Sequence, residues 1–67
     1  MNENLLRLKS VTSRTGLSRS TIYSYISQGR FPEPVKIGER SVAWPESEVQ
    51  AWIRGRILIS KRNYIKE

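Results

Sequence analysis

The sequence predicts a mainly α-helical domain: three helices and one small β-hairpin. Three observations predict it. Apolar residues recur at helical spacing in two segments, Ile22, Tyr25 and Ile26, then Val49, Trp52 and Ile53. Glycines stand where helices should stop, at Gly16 and Gly29. Between the two segments, Pro32 and Pro34 forbid helix, and the residues that follow alternate as a hairpin should. With 67 residues the chain is read as a single domain over 1–67, with a core over about 5–54 and a C-terminal helix end and basic tail over 55–67.

In chain order, residues 1–4 are polar and expected to fray. Leu5, Leu6 and Leu8 suit either an edge strand or a lead into the first helix. Ser10 is a candidate N-cap for a short helix over about 11–15, which Gly16 would end. Thr12, Ser13 and Thr15 are poor helix formers, so this helix must rely on contacts through Leu8, Val11 and Leu17. Ser18 is the N-cap candidate of the second helix. Ile22, Tyr25 and Ile26 form its inner stripe. Ser20, Tyr23, Ser24 and Ser27 fall on the opposite side, with Arg19 and Thr21 flanking near the start.

After Gly29, Arg30 leads into Phe31, which reads as a core plug. Val35-Lys36-Ile37 and Ser41-Val42-Ala43-Trp44 read as two strands joined by Gly38-Glu39-Arg40, with Ile37 and Trp44 expected to close the core. Lys36 and Arg40 lie near the tip. Pro45 suits the start of a third helix, and Glu46 and Glu48 in its first turn complement the helix dipole. Val49, Trp52 and Ile53 are its expected buried stripe, and the helix is read through Ile59 despite Gly55. Ile57, Leu58 and Ile59 cannot all face inward, so part of that cluster is free for a second protein. Residues 60–67 show no clear periodicity.

Composition excludes most chemistry. The chain has no Cys, no His and no Asp, and its six carboxylates are all Glu. Disulfides are impossible, zinc sites lose their usual ligands, and acid–base or thiol catalysis loses its usual groups. No enzyme activity, metal, cofactor or small-molecule ligand is expected. No run approaches membrane-spanning length, and residues 1–15 hold no apolar stretch of the secretory kind. The expectation is a cytoplasmic protein associated with the bacterial nucleoid.

Charge gives the positive lead. Twelve Lys plus Arg against six Glu leave +6, with a pI near 10.3. Residues 1–44 hold seven basic and three acidic groups, 45–53 two acids and no base, and 54–67 five bases and one acid. A basic domain this small points to a polyanion. A helix, a Gly-containing turn and a second helix with a small, hydroxylated, basic outer face form the helix-turn-helix pattern. Small side chains let such a helix lie deep in the major groove. Hydroxyls and Arg19 can meet phosphates or base edges, and the helix N-terminus attracts phosphate. A basic hairpin directly behind it is what a DNA-contacting wing would look like. On periodicity alone, an ordinary amphipathic helix pair remains open.

Longer stretches carry a resemblance. Leu5-Leu6-Arg7-Leu8-Lys9, Thr15-Gly16-Leu17-Ser18-Arg19-Ser20-Thr21-Ile22-Tyr23, Gly29-Arg30-Phe31-Pro32-Glu33-Pro34-Val35-Lys36-Ile37-Gly38, and Trp44 with Ser47-Glu48-Val49-Gln50-Ala51-Trp52-Ile53 resemble the AlpA-type phage regulators. These are related to the excisionase and MerR-like winged helix-turn-helix group. The resemblance implies a winged helix-turn-helix of three helices plus wing. It implies DNA contacts from Ser18, Arg19, Ser20, Thr21 and Tyr23 on the second helix, and from Lys36 and Arg40 in the wing. Ser24 and Arg30 complete the candidate set. It also implies a transcriptional regulator of a prophage or integrated element or, alternatively, an excisionase that bends attachment-site DNA for an integrase.

Double-stranded DNA is thus the expected partner, with an integrase or further copies of the chain on DNA as protein partners. A protein-interaction adaptor working through the apolar end of the third helix is a second class. An RNA-binding module is a third, and the aromatics are not spaced as a stacking sheet. The chain shows no obvious symmetric dimer helix and none of coiled-coil length. The expectation is a monomer that assembles on DNA, the wing of one copy against the 57–65 segment of the next.

Overall fold

The computed structural model of the chain describes residues 3–65. Strand β1 (Leu5–Leu6) leads into helix α1 (Leu8–Thr15), then α2 (Arg19–Ser27), strands β2 (Val35–Lys36) and β3 (Val42–Pro45), and the long helix α3 (Glu46–Ile65). This is a winged helix-turn-helix. The three strands form one antiparallel sheet in the order β1-β3-β2, with Leu5 opposite Pro45, Leu6 opposite Trp44, Val35 opposite Ala43 and Lys36 opposite Val42.

The core forms around the central strand. Ala43 and Trp44 are fully buried, because β3 is paired on both edges and covered by helices. Trp44 clusters with Leu6, Val11, Ile22, Phe31 and Val49, one or more from nearly every element. Leu8, Leu17, Tyr25, Ile26, Val42, Trp52 and Ile53 pack around this cluster half-buried. Burying so much apolar surface against one indole is how a domain without disulfides holds together.

Two indole N–H groups fasten the segment between α2 and the hairpin. Trp44 Nε1 donates to the Pro32 carbonyl at 2.9 Å, and Trp52 Nε1 donates to the Arg30 carbonyl at 2.8 Å. Phe31, 5% exposed, sits between these anchors with its ring 4.9 Å from Trp52, edge to face. The expected core plug is therefore confirmed.

Several expectations are corrected. Helix α1 begins at Leu8, not residue 11, and its N-cap is Arg7, with no side-chain cap, not Ser10. The strand β1 hands the chain straight into the helix, so packing of Leu8 replaces a hydroxyl cap. Leu5 and Leu6 take the edge-strand alternative. Glu3 and Asn4 do not fray. Glu3 accepts from the Ser47 hydroxyl at 2.8 Å and from the Ser47 amide at 3.3 Å, and the Asn4 carbonyl accepts from the Glu46 amide at 2.8 Å. The N-terminal segment thereby caps the first turn of α3, whose free amides need acceptors.

Ile37 does not close the core. It is 45% exposed, because β2 is an edge strand with open outer faces, and Val35 is 41% exposed for the same reason. In the expected stripe of α3 only Val49 is fully buried, while Trp52 and Ile53 are half-buried. The helix does not stop at Ile59. It continues through segment 60–65, which has little apolar periodicity to announce it. Residues 1–2 and 66–67, and the side chains of residues 63–65, lie outside the described residues. No helix among the described residues is long and apolar enough to cross a membrane.

Candidate nucleic-acid interface

The turn between α1 and α2 is built by local bonds. Gly16 adopts the left-handed conformation at φ 76°, and its amide donates to the Thr12 carbonyl at 2.8 Å, closing α1 as expected. The Thr15 hydroxyl donates to the Val11 carbonyl at 2.8 Å and accepts from the Leu17 amide at 3.1 Å. Thr15, a poor helix former, is thus the residue that stitches helix to turn. Ser18 then caps α2. Its Oγ accepts from the Thr21 amide at 3.2 Å and donates to the Thr21 hydroxyl at 3.0 Å.

This cap divides the candidate residues. Ser18 and Thr21 spend hydroxyl valences on each other, and Thr21 is half-buried. Arg19 and Ser20 are exposed at the first turn of α2, beside its positive dipole end. Tyr23 is 40% exposed, but it does not project wholly outward. Its ring meets Trp44 edge-on, with centroids 6.3 Å apart. That contact holds the ring against the core while two-fifths of the residue stays exposed. Ser24, one turn on from Ser20, is exposed and accepts from Gln28 Nε2 at 2.9 Å.

The end of α2 places Arg30. Gly29 has φ 72°; its amide donates to the Ile26 carbonyl at 3.0 Å, and the Arg30 amide to the Tyr25 carbonyl at 2.8 Å. This pair of bonds is the Schellman closure, and it folds Arg30 back over the helix end. The guanidinium carbon lies 4.6 Å from the centre of the Tyr25 ring, and Nη1 donates to Gln28 Oε1 at 3.0 Å. Sequence reasoning missed Gln28 and Tyr25 as holders of Arg30. The four-residue step from Ser24 to Gln28 was the available signal.

Lys36 and Arg40 are both exposed on the hairpin, whose tip is closed by the Ile37 amide donating to the Ser41 carbonyl at 2.9 Å. The single ion pair among the described residues lies elsewhere, Arg14 to Glu46 at 2.7 Å. Hydrogen bonds from Asn4 and then from Arg14 hold the Glu46 carboxyl below the usual carboxylate range. Arg14 therefore serves to tie α1 to the start of α3. Among the described residues, no acidic side chain pairs with Arg19, Arg30, Lys36 or Arg40.

Residues 4–57 match the family model described as prophage CP4-57 regulatory protein (AlpA). The chain belongs to the AlpA family. It is 52% identical over 62 residues to "Uncharacterized protein ORF88" of Enterobacteria phage P4, covering 92% of this chain and 70% of that relative. It is 34% identical over 58 residues to the "DNA-binding transcriptional activator AlpA" of Escherichia coli (strain K12), covering 78% of this chain and 83% of that relative. The AlpA match takes in all the strands, both short helices and the first part of α3, and ends where Ile57 begins the exposed apolar run.

Proposed function

We propose that this AlpA-family chain binds double-stranded DNA with sequence preference and regulates transcription of a prophage or integrated element. It acts as a cytoplasmic, nucleoid-associated protein and not as an enzyme. The observation that carries the reading is the capped N-terminus of α2, where Arg19 and Ser20 stand exposed within a family that includes a DNA-binding activator.

In this reading α2 enters the major groove. Ser18 and Thr21 fix the helix end and offer its free amides to a phosphate. Arg19, Ser20, Tyr23 and Ser24 supply contacts to base edges and phosphates. Arg30, braced on Tyr25 and Gln28, meets the backbone beside the helix end, and Lys36 and Arg40 meet it from the wing. The wing's edge strand, open on its outer side, leaves room for that approach.

The test is fluorescence anisotropy on duplexes from the DNA flanking the chain's own gene, with scrambled duplexes as reference. Preferential binding is expected, with log affinity falling against log salt at a slope of about −4, as four to five phosphates are neutralised. Equal, salt-insensitive binding to all duplexes overturns the reading and favours an adaptor. Preference for attachment-site DNA over promoter DNA, with strong bending, replaces the regulator by an excisionase working with an integrase.

A further inference from the structure

The outer side of α3 carries a stripe whose distal part the rest of the chain leaves exposed, while Trp52 at its proximal end is half-buried against Phe31. Glu48, Ala51, Trp52, Gly55, Leu58, Ile59 and Arg62 are each three or four residues from another member of the set, so they share one side of the helix. Leu58 is 62% exposed and Ile59 49%. At the proximal end, Phe31, Pro32, Glu48, Ala51 and Trp52 line a shallow groove of about 550 Å³. Its basic rim residue, Arg30, is engaged with Tyr25 and Gln28.

The stripe is symmetric about Gly55. Glu48 stands seven residues before it and Arg62 seven after; Ala51 and Trp52 stand four and three before it, Leu58 and Ile59 three and four after. Turned end for end, the stripe is complementary to itself. Residues 45–53 hold two acids and no base, and 54–62 hold four bases and no acid, so an antiparallel pair sets opposite charges together where a parallel pair would set like charges together. Among the described residues, no packing demands a glycine at 55: a Cβ there would meet nothing within 4 Å. A glycine in a helix interior lowers stability relative to alanine, and a close backbone approach is a reason to keep one.

We propose that α3 packs antiparallel against α3 of a second copy, crossing at Gly55, to form a two-fold symmetric dimer. Glu48 meets Arg62 of the other copy at both ends, and Leu58 and Ile59 enter the other copy's groove beside Trp52. Each patch is used twice, so the assembly closes at two. The pairing goes beyond the DNA-binding reading and does not depend on it. It is an alternative to a head-to-tail row on DNA, and the extension of α3 through Ile65 is what brings Arg62 onto the stripe.

Sedimentation velocity of the full chain without DNA tests this, with helical circular dichroism as the check on folding. A concentration-dependent dimer is expected. Glu48→Arg and Arg62→Glu should each raise the dissociation constant roughly tenfold or more, and the double exchange should restore it. Within one helix these two residues are about 21 Å apart, so rescue can only arise between copies. Gly55→Leu should keep the helical signal and leave a monomer. A monomer at the highest soluble concentration, a mass that climbs past two, or a dimer indifferent to all these variants overturns the proposal. Loss of duplex binding leaves the mass without DNA untouched, so the two readings fail separately.

Discussion

The outer face of α2 and the outer stripe of α3 are both exposed, and they are chemical opposites. The first presents Arg19, Ser20, Tyr23 and Ser24, with hydroxyls and a guanidinium over a well-buried Ile22. The second presents Leu58 and Ile59 between an acid and a base, on a stretch of helix with little beneath it. Exposure alone says nothing about the partner. Hydroxyls and unpaired cations suit a polyanion already wrapped in water, whereas bare Leu and Ile are stabilised only by leaving water. The helices are also held differently. The nine residues of α2 are fixed at one end by the Ser18 cap and at the other by the Gly29 closure. Helix α3 is fixed at its start by Glu3, Asn4 and Arg14, whereas Ile57, Leu58 and Ile59 in its distal half are exposed.

The strongest way to break the comparison is to remove what both faces share. Trp44→Ala should cost about 3–5 kcal/mol, most of what a domain this size holds, and urea unfolding should find little folded protein. Trp52→Ala should cost less, about 1–3 kcal/mol, since the indole is half-buried and its loss mainly opens the groove. Equal destabilisation by the two would put Trp52 in the core as the periodicity first suggested.

Smaller effects should separate the faces. Arg19→Ala should weaken duplex binding by about 1–3 kcal/mol in anisotropy titrations while leaving sedimentation without DNA unchanged. Tyr23→Phe is the cleaner probe of its hydroxyl, because alanine would also remove the ring that rests on Trp44. Gln28→Ala frees Arg30 from one bond and should weaken binding by about 0.5–1.5 kcal/mol, with unfolding unaffected.

The smallest effect is a pH dependence at the start of α3. Glu46 titrates below its ordinary value in the folded chain. Its contribution is therefore complete above the pKa of the unfolded chain and disappears as the pH falls through the lowered folded value. Thermal unfolding of Glu46→Gln should show a shallower loss of stability on acidification than the parent chain.

Much of the comparison was legible in the residues. Ser18, Gly16 and Gly29 announced the ends of α2 and the turn before it, because caps and left-handed positions impose residue types. The apolar run 57–59 announced an exposed cluster. Three things were hidden, each for a physical reason. The start of α1 is set by packing of Leu8 behind a strand two residues long, too short to show a pattern. The cap of α3 comes from Glu3, 44 positions away from Ser47, a distance no local pattern spans. Residues 60–62 of α3 are exposed, so nothing requires apolar spacing there. Among the candidate residues, the cap partners and Arg30 had geometry that spacing could not supply. Tyr23 looked fully outward because a three-residue step from Ser20 does not reveal an indole underneath.

The two indole hydrogen bonds to the Arg30 and Pro32 carbonyls have a mechanical consequence. They lash the end of α2 and the root of the hairpin to the same core, so the span from the outer face of α2 to the hairpin tip is set by the protein and works as a gauge. A duplex touched by both must supply the fit through its own bend or twist. Sequences with easily kinked pyrimidine–purine steps do so at lowest energy. For a duplex held in that way, discrimination would extend to base pairs that no side chain reaches.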